Sequence, residues 1–343
     1  MRYVKSSSID PGMVTATPLY NSSGRMLLAA NARVTPAIAS RIRSLGFPGI
    51  FILDAGDEDR LAPLLDDGTR LESINALKSL DIDQVMYVAN AIVNQVLYAS
   101  NMLYDMDSVC CYDTLTYMHS VNVAILSAMM GVSMGLDNDR LETLAQAALL
   151  HDIGKTRVDP KIIKGTHRLS PEELEAVRRH PDYGYELLKR SGMASEQVMD
   201  AVRYHHENED GSGYPCRKTS GEIPMFAKII HVADVYDALV SRRSYKKSMN
   251  PADALENLMA NIGTMFDRGC VEALRDNIAL YPVGSQVRLS NGSTAWVQEN
   301  RRGYPTRPLL RTVTGLRIDL MSRLNLTIVG FADDSSSCLA VSA

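Results

Sequence analysis

The stretch Ala145-Gln146-Ala147-Ala148-Leu149-Leu150-His151-Asp152-Ile153-Gly154-Lys155 decides how this chain is read. A mostly apolar run, 145–150, carries an imidazole and a carboxylate side by side toward a core. Burying both without partners costs several kcal/mol. A metal ion would compensate both, because neutral imidazole and carboxylate oxygens are natural ligands for Fe, Mn, Zn and similar ions. Gly154 lets the chain turn, and Lys155 sets a cation beside the pair.

Outward from this point the spacing is helical. Ile82, Val85, Met86, Ala89, Ile92, Val93, Val96 and Leu97 form the i, i+3, i+4, i+7 stripe of an amphipathic helix. Further helices are expected over 116–134, 139–150, 171–178, 183–191, 195–204, 224–241 and 251–259. Ser170-Pro171-Glu172-Glu173 is a capping box with proline at the first helical position. The expected fold is therefore mainly α: a helical bundle over 76–280, flanked by smaller pieces. Residues 1–55 read as a small α+β module, with a hairpin turn at 21–24, a helix started by Thr35-Pro36 and a strand over 49–53. The acidic stretch after it reads as a linker, 56–75. Residues 281–332 read as a small β-rich segment, with short alternating runs at 286–289 and 295–298 around the turn Ser290-Asn291-Gly292-Ser293. Residues 333–343 read as a frayed tail.

All seven histidines lie between positions 119 and 231. His205-His206 is followed by Glu207 and then by Asp210-Gly211-Ser212-Gly213-Tyr214-Pro215. Adjacent histidines point in different directions, which suits two metals, or one metal and a phosphate; a surface pair beside a loop is the equal alternative. Asp234 and Asp237 are three apart and share a helix face inside the apolar run 232–239, where two like charges call for a cation. Arg242, Arg243, Lys246 and Lys247 follow. Beside carboxylates such a basic cluster suits an anionic ligand, although a solvated helix end is the commoner reading of a bare charge run.

Together these segments resemble the HD-GYP domain, a subgroup of the HD metal-dependent phosphohydrolases. The resemblance runs through Thr116-Tyr117-Met118-His119-Ser120, Leu150-His151-Asp152-Ile153-Gly154-Lys155, His180, His205-His206-Glu207, the 210–215 loop, 233–239 and Arg243-Ser244-Tyr245-Lys246. It covers about 100–270, in the family's order and spacing. It implies a phosphodiesterase that opens cyclic di-GMP to linear pGpG, with some members continuing to GMP. The metal ligands it implies are His119, His151, Asp152, His180, His205, His206 and Asp234, with Asp152 bridging two ions. Lys155 would join Asp152 in catalysis beside the scissile phosphate; Gly213, Tyr214 and Pro215 would form the signature loop; Asp237, Arg243 and Lys246 would meet substrate or organise its pocket. Family members with a third metal carry Glu four residues before the first ligand histidine. Leu115 stands there in this chain, so a two-metal centre of Fe or Mn, with Ni or Zn as alternatives, is expected. His167 and His231 fall outside the pattern and are read as structural. The segment Ile9-Asp10-Pro11-Gly12-Met13 resembles the small domain that often precedes HD-GYP domains, which implies a regulatory or packing module.

Composition excludes other classes. Thirty-six Lys+Arg against 40 Asp+Glu, a net charge of −4, leaves no basic excess for general nucleic-acid binding. The longest apolar stretch, 121–136, is too short and too interrupted for a comfortable membrane span, and 1–11 has no signal-peptide core. Five cysteines with no CxxC pair fit a reducing compartment, so a soluble cytoplasmic protein is expected. The partners expected are cyclic di-GMP and, through the signature loop, other proteins of its signalling; the helix from Ile82 suits either core or a homodimer surface. Two other readings remain open: a cyclic di-GMP-responsive binding protein with weak catalysis, and a hydrolase of another cyclic nucleotide.

Overall fold

A computed structural model describes residues 2–16, 18–20, 26–45, 47, 49–53, 65–99, 103–104, 109–110, 115–163, 165, 167–192, 194–241 and 249–332. The first strands are β1 (Arg2–Lys5), β2 (Val14–Thr15), β3 (Leu19–Tyr20) and β4 (Met26–Leu28). Helix α1 (Pro36–Ser44) follows, started by Thr35, whose side chain accepts from the Ile38 N–H with proline at the first turn. Strand β5 (Gly49–Leu53) then returns between β1 and β2, antiparallel to both. β3 pairs antiparallel with β4 and parallel with β6 (Val109–Cys110), so a strand from far down the chain completes this module. Its core is its own: Val4, Ile9, Leu19, Val34, Ala39, Ile42, Phe47, Ile50 and Ile52. The turn expected at 21–24 and the tail 333–343 lie outside the described residues.

The bundle is built from α2 (Asp67–Ser79), α3 (Ile82–Tyr98), α4 (Leu115–Ser133), α5 (Asn138–Leu150), α6 (Pro160–Ile163), α7 (Pro171–Arg178), α8 (His180–Ser191), α9 (Glu196–Tyr204), α10 (Met225–Val240), α11 (Pro251–Ala260) and α12 (Arg268–Asn277). Side-chain caps start most of them: Asp66, Asp81, Asp137, Ser170, Ser195, Asn250 and Asp267 each accept a first-turn N–H. α4 and α10 are apolar nearly all round and form the centre, packed against each other and against α5, α9 and α12. The second half of the stretch read as a linker, 67–75, is instead the start of α2. Its buried face holds Thr69, Arg70 and Ser73 beside Ile74, Ala76 and Leu77, so its apolar period is faint. α12, also absent from the sequence reading, buries the small residues Cys270 and Ala273 with Val271 and Leu274.

The chain ends in an antiparallel sheet of β7 (Gln286–Leu289), β8 (Thr294–Glu299), β9 (Leu309–Arg311), β10 (Arg317–Asp319) and β11 (Ile328–Phe331), ordered β10-β9-β8-β7-β11. Its inward residues Val287, Leu289, Ala295, Val297, Leu310 and Ile318 join the helical core in one continuous cluster. The protein is thus mainly α, a helical bundle with small sheets at both ends. No helix among the described residues is long and apolar enough to cross a membrane.

Candidate metal centre

Helix ends converge at one point of the bundle. His119 comes from α4, while His151 closes α5 and Asp152 follows it. His180 opens α8, His205 closes α9 with His206 behind it, and Asp234 comes from α10. The turn after Asp152 lies tight against the start of α8. A Cβ on Gly154 would sit 1.9 Å from the His180 carbonyl oxygen, so only glycine lets these two segments meet.

The seven residues form three overlapping groups whose potential ligand atoms lie within 4.8 Å of one another: His119, His151 and Asp152; His151, His205 and Asp234; His180, His205 and His206. Six of the seven are buried. The imidazoles of His151, His180 and His205 share one device. Each Nδ1 lies 2.7–2.8 Å from the carbonyl oxygen three residues earlier, at Ala148, Val177 and Val202. Nδ1 therefore donates, and Nε2 is left as a lone pair facing the cluster. The Nε2 atoms of His180 and His205 stand 3.4 Å apart. A pair of ring nitrogens this close suits a shared proton or a shared metal ion. His151 Nε2 and Asp152 Oδ1 are buried with no hydrogen-bond partner, although His180 Nε2 lies 3.3 Å from that oxygen. Orphaned buried acceptors of this kind, drawn from imidazole and carboxylate, are a fitting donor set for divalent ions.

Electrostatics divides the cluster. Burial pushes the His119 pKa down, but hydrogen bonds to Asp234 (2.9 Å) and Asp237 (2.6 Å) outweigh it and raise it to about 9. His205 and His206 are held well below the usual imidazole value, by burial first and by neighbouring imidazoles second. Asp152 is buried, which raises its pKa, but Lys155 and His151 bring it well below the usual carboxylate range. Lys155 Nζ lies 2.5 Å from Asp152 Oδ2 and is partly exposed.

Asp237 is fully buried behind His119, with its oxygens taken by His119, Asn122 and Ser241. Its contact with His119 Nδ1 suits the orienting of that imidazole, the pocket-organising half of its expected role. The expected substrate residues Arg243 and Lys246 lie outside the described residues. The signature loop folds back on the cluster. Tyr214 stacks on His206 at 4.7 Å and 28°, and its N–H donates to the His206 carbonyl. A Cβ on Gly213 would meet the Asn208 nitrogen at 2.4 Å. Pro215 lines a cavity beside the loop. Sequence reasoning missed Glu207 as a site residue. Its buried carboxylate accepts the N–H groups of Cys216 and Lys218, which pins the loop. Its only signal in the sequence is an acidic residue placed directly after two histidines. His231 is buried and stands edge-on to Phe266, a structural place as expected.

The HD domain family matches residues 101–269. A cyclic di-GMP phosphodiesterase of Pseudomonas aeruginosa is 34% identical over 249 residues, covering 71% of this chain and 60% of the relative. A 3′3′-cGAMP-specific phosphodiesterase of Vibrio cholerae is 34% identical over 160 residues, covering 46% of this chain and 31% of the relative. The chain thus spans less than two thirds of either relative's length. The structure of an HDG"Y"P protein from Bdellovibrio bacteriovorus shares the fold, with a TM-score of 0.53 and 16% identity over 80% of this chain and 98% of that one.

Proposed function

The chain belongs to the HD domain family and carries its HD-GYP signature, and from that premise we propose that it is a metal-dependent phosphodiesterase opening cyclic di-GMP to linear pGpG in the cytoplasm. The observation that carries this reading is the convergence of seven potential ligand residues, with His151 Nε2 and Asp152 Oδ1 buried and unpaired among them. His119, His151 and Asp234 would hold one ion and His180, His205 and His206 the other. Asp152 would bridge, since its Oδ2 faces His151 at 3.4 Å and its Oδ1 faces His180 at 3.3 Å. Two such ions, Fe or Mn with Ni or Zn as alternatives, supply Lewis acidity and a nucleophilic water at neutral pH.

The chain's own residues do the rest. Asp237 holds the proton at His119 Nδ1, which keeps Nε2 directed at the centre. Lys155 sits at the open edge of the cluster, where its ammonium can neutralise charge developing on a phosphoryl oxygen. Tyr214 closes the face over His206 and limits water there. Leucine at position 115 offers no ligating atom, which favours two ions and pGpG as product. The exposed edge of the loop is open to other proteins of cyclic di-GMP signalling. Similarity to the cGAMP-specific relative makes 3′3′-cGAMP the second substrate reading.

The test is anaerobic hydrolysis by protein loaded with Fe(II) or Mn(II), offered cyclic di-GMP and 3′3′-cGAMP, with Asp152→Ala alongside. Metal-dependent pGpG is expected, with activity and bound metal both lost in the variant. Preferential turnover of 3′3′-cGAMP would move the assignment to that substrate. No product from protein holding two ions per chain would leave a binding protein.

A further inference from the structure

A cavity of about 590 Å³ lies between α7 and the signature loop. That is within the roughly 300–1,000 Å³ of ordinary ligand pockets. Glu175, Arg178 and Arg179 line it from the helix side, and the loop with Arg217 lines it from the other. Tyr214 joins it to the metal centre: one face of its ring stacks on His206, and the Arg178 guanidinium lies 5.5 Å from the ring centroid. The cavity is therefore one aromatic ring away from the ion ligands.

Part of the charge lining it is outside any ion pair among the described residues. Asp182 is paired with Arg203 at 2.9 Å. Among the described residues no ion pair engages Glu175, Arg178 or Arg217, although all three line the same space. Glu175 and Arg178 are three apart on α7 and share a face, with Cβ atoms about 5–6 Å apart by helix geometry. That separation matches two adjacent edges of one purine.

Guanine suits this pair. Its O6 and N7 are two acceptors that an arginine fork meets together, whereas adenine sets an amino donor beside N7 and repels the fork. Its N1–H and N2–H are two donors that a carboxylate accepts together. The Arg178 guanidinium already lies over the Tyr214 ring, which places the fork at the cavity before the base arrives. We propose that this cavity is a guanine-recognition subsite, with Arg178 on O6 and N7 and Glu175 on N1–H and N2–H. The assignment rests on the phosphodiesterase reading above, and it names how that site tells guanine from adenine.

The test compares the metal-loaded full chain with its Arg178→Ala, Arg178→Lys and Glu175→Gln variants. All three substitutions are at exposed positions, and a circular dichroism spectrum checks the fold. The KM for cyclic di-GMP is measured together with the inhibition constant of cyclic di-AMP. Arg178→Ala is expected to raise the KM by about 10- to 100-fold, the worth of one bidentate base contact. That rise exceeds any fall in kcat, and inhibition by cyclic di-AMP is not weakened in parallel. Lysine does not rescue, because the fork is lost. Glu175→Gln is expected to narrow the guanine preference by a smaller factor. Equal weakening toward both dinucleotides, or full rescue by lysine, would show general charge attraction and overturn the subsite. An unchanged KM in active Arg178→Ala protein would overturn the subsite alone. Wild-type protein that neither binds nor hydrolyses cyclic di-GMP would overturn the subsite together with the phosphodiesterase reading.

Discussion

Two sides of the same centre present imidazole in opposite ways. On one side His119 stands between two carboxylates, Asp234 and Asp237, and is raised to about 9. On the other, His180 and His205 are backed by main-chain carbonyls; burial holds His205 and His206 well below the usual imidazole value, helped by His151 and His180 at His205 and by His205 at His206. An anionic backing makes a strongly basic nitrogen that must lose a proton before it ligates. A carbonyl backing makes a nitrogen that is ready but less basic. The difference teaches that a run of histidines is not a set of equivalent ligands. What lies behind each ring decides its chemistry.

The largest effect comes from separating the two sides. In Gly154→Ala the new methyl group meets the His180 carbonyl oxygen, so the turn carrying Asp152 must move from α8. The expected cost is about 1–3 kcal/mol of stability, the usual range for overpacking, with loss of metal from the His180 side. Thermal unfolding and metal analysis would measure both. A variant with unchanged melting temperature and two ions per chain would show that the turn can yield cheaply.

A smaller effect is expected on the anionic side alone. Asp237→Ala removes the carboxylate behind His119 and should lower metal affinity or turnover by about 10- to 100-fold, as is usual for a partner of a ligating histidine. It also leaves Asn122 without its carboxylate acceptor. Equilibrium metal titration checks it. If the affinity held, the anionic backing would be incidental to ligation.

The smallest effect is a proton count. At pH 7 the metal-free His119 is protonated, because its pKa lies above that pH, whereas His205 and His206 are already neutral. Metal ligates neutral imidazole, so loading with Mn(II) should release about one proton per chain from His119. The release should fade as pH rises through about 9. Calorimetry in two buffers of different ionisation enthalpy counts it. Release of none at pH 7 would remove the contrast between the two sides.

Much of the candidate site is legible because the proposed ligands announce themselves in chain order. His151-Asp152 after an apolar helix, His205-His206 before a glycine-rich loop and Asp234 inside an apolar run are costly residues in places that bury them. Their supports are less visible. Asp237 reads as a residue that meets substrate or organises the pocket, and the sequence does not show that its oxygens fall on His119, Asn122 and Ser241. Glu207 clamps the loop through main-chain N–H groups at Cys216 and Lys218, which carry no residue identity for a sequence to display. The same limit applies to the fold. The stripe of α3 reads directly, with Val85, Val88, Ala89, Ile92, Val93 and Val96 all buried. α2 buries Thr69, Arg70 and Ser73, so its apolar period is weak, whereas α12 carries a clear buried stripe of Cys270, Val271, Ala273 and Leu274 that the sequence reading passed over.

The three imidazoles braced by the carbonyls of Ala148, Val177 and Val202 have a consequence for heredity. A carbonyl is present whatever side chain position 148, 177 or 202 encodes, so single codon changes there cannot delete the brace unless they break the helix. The brace behind His119 is a side chain, and one base change can erase it. Within one centre, then, the two kinds of brace differ in how much mutation they can absorb.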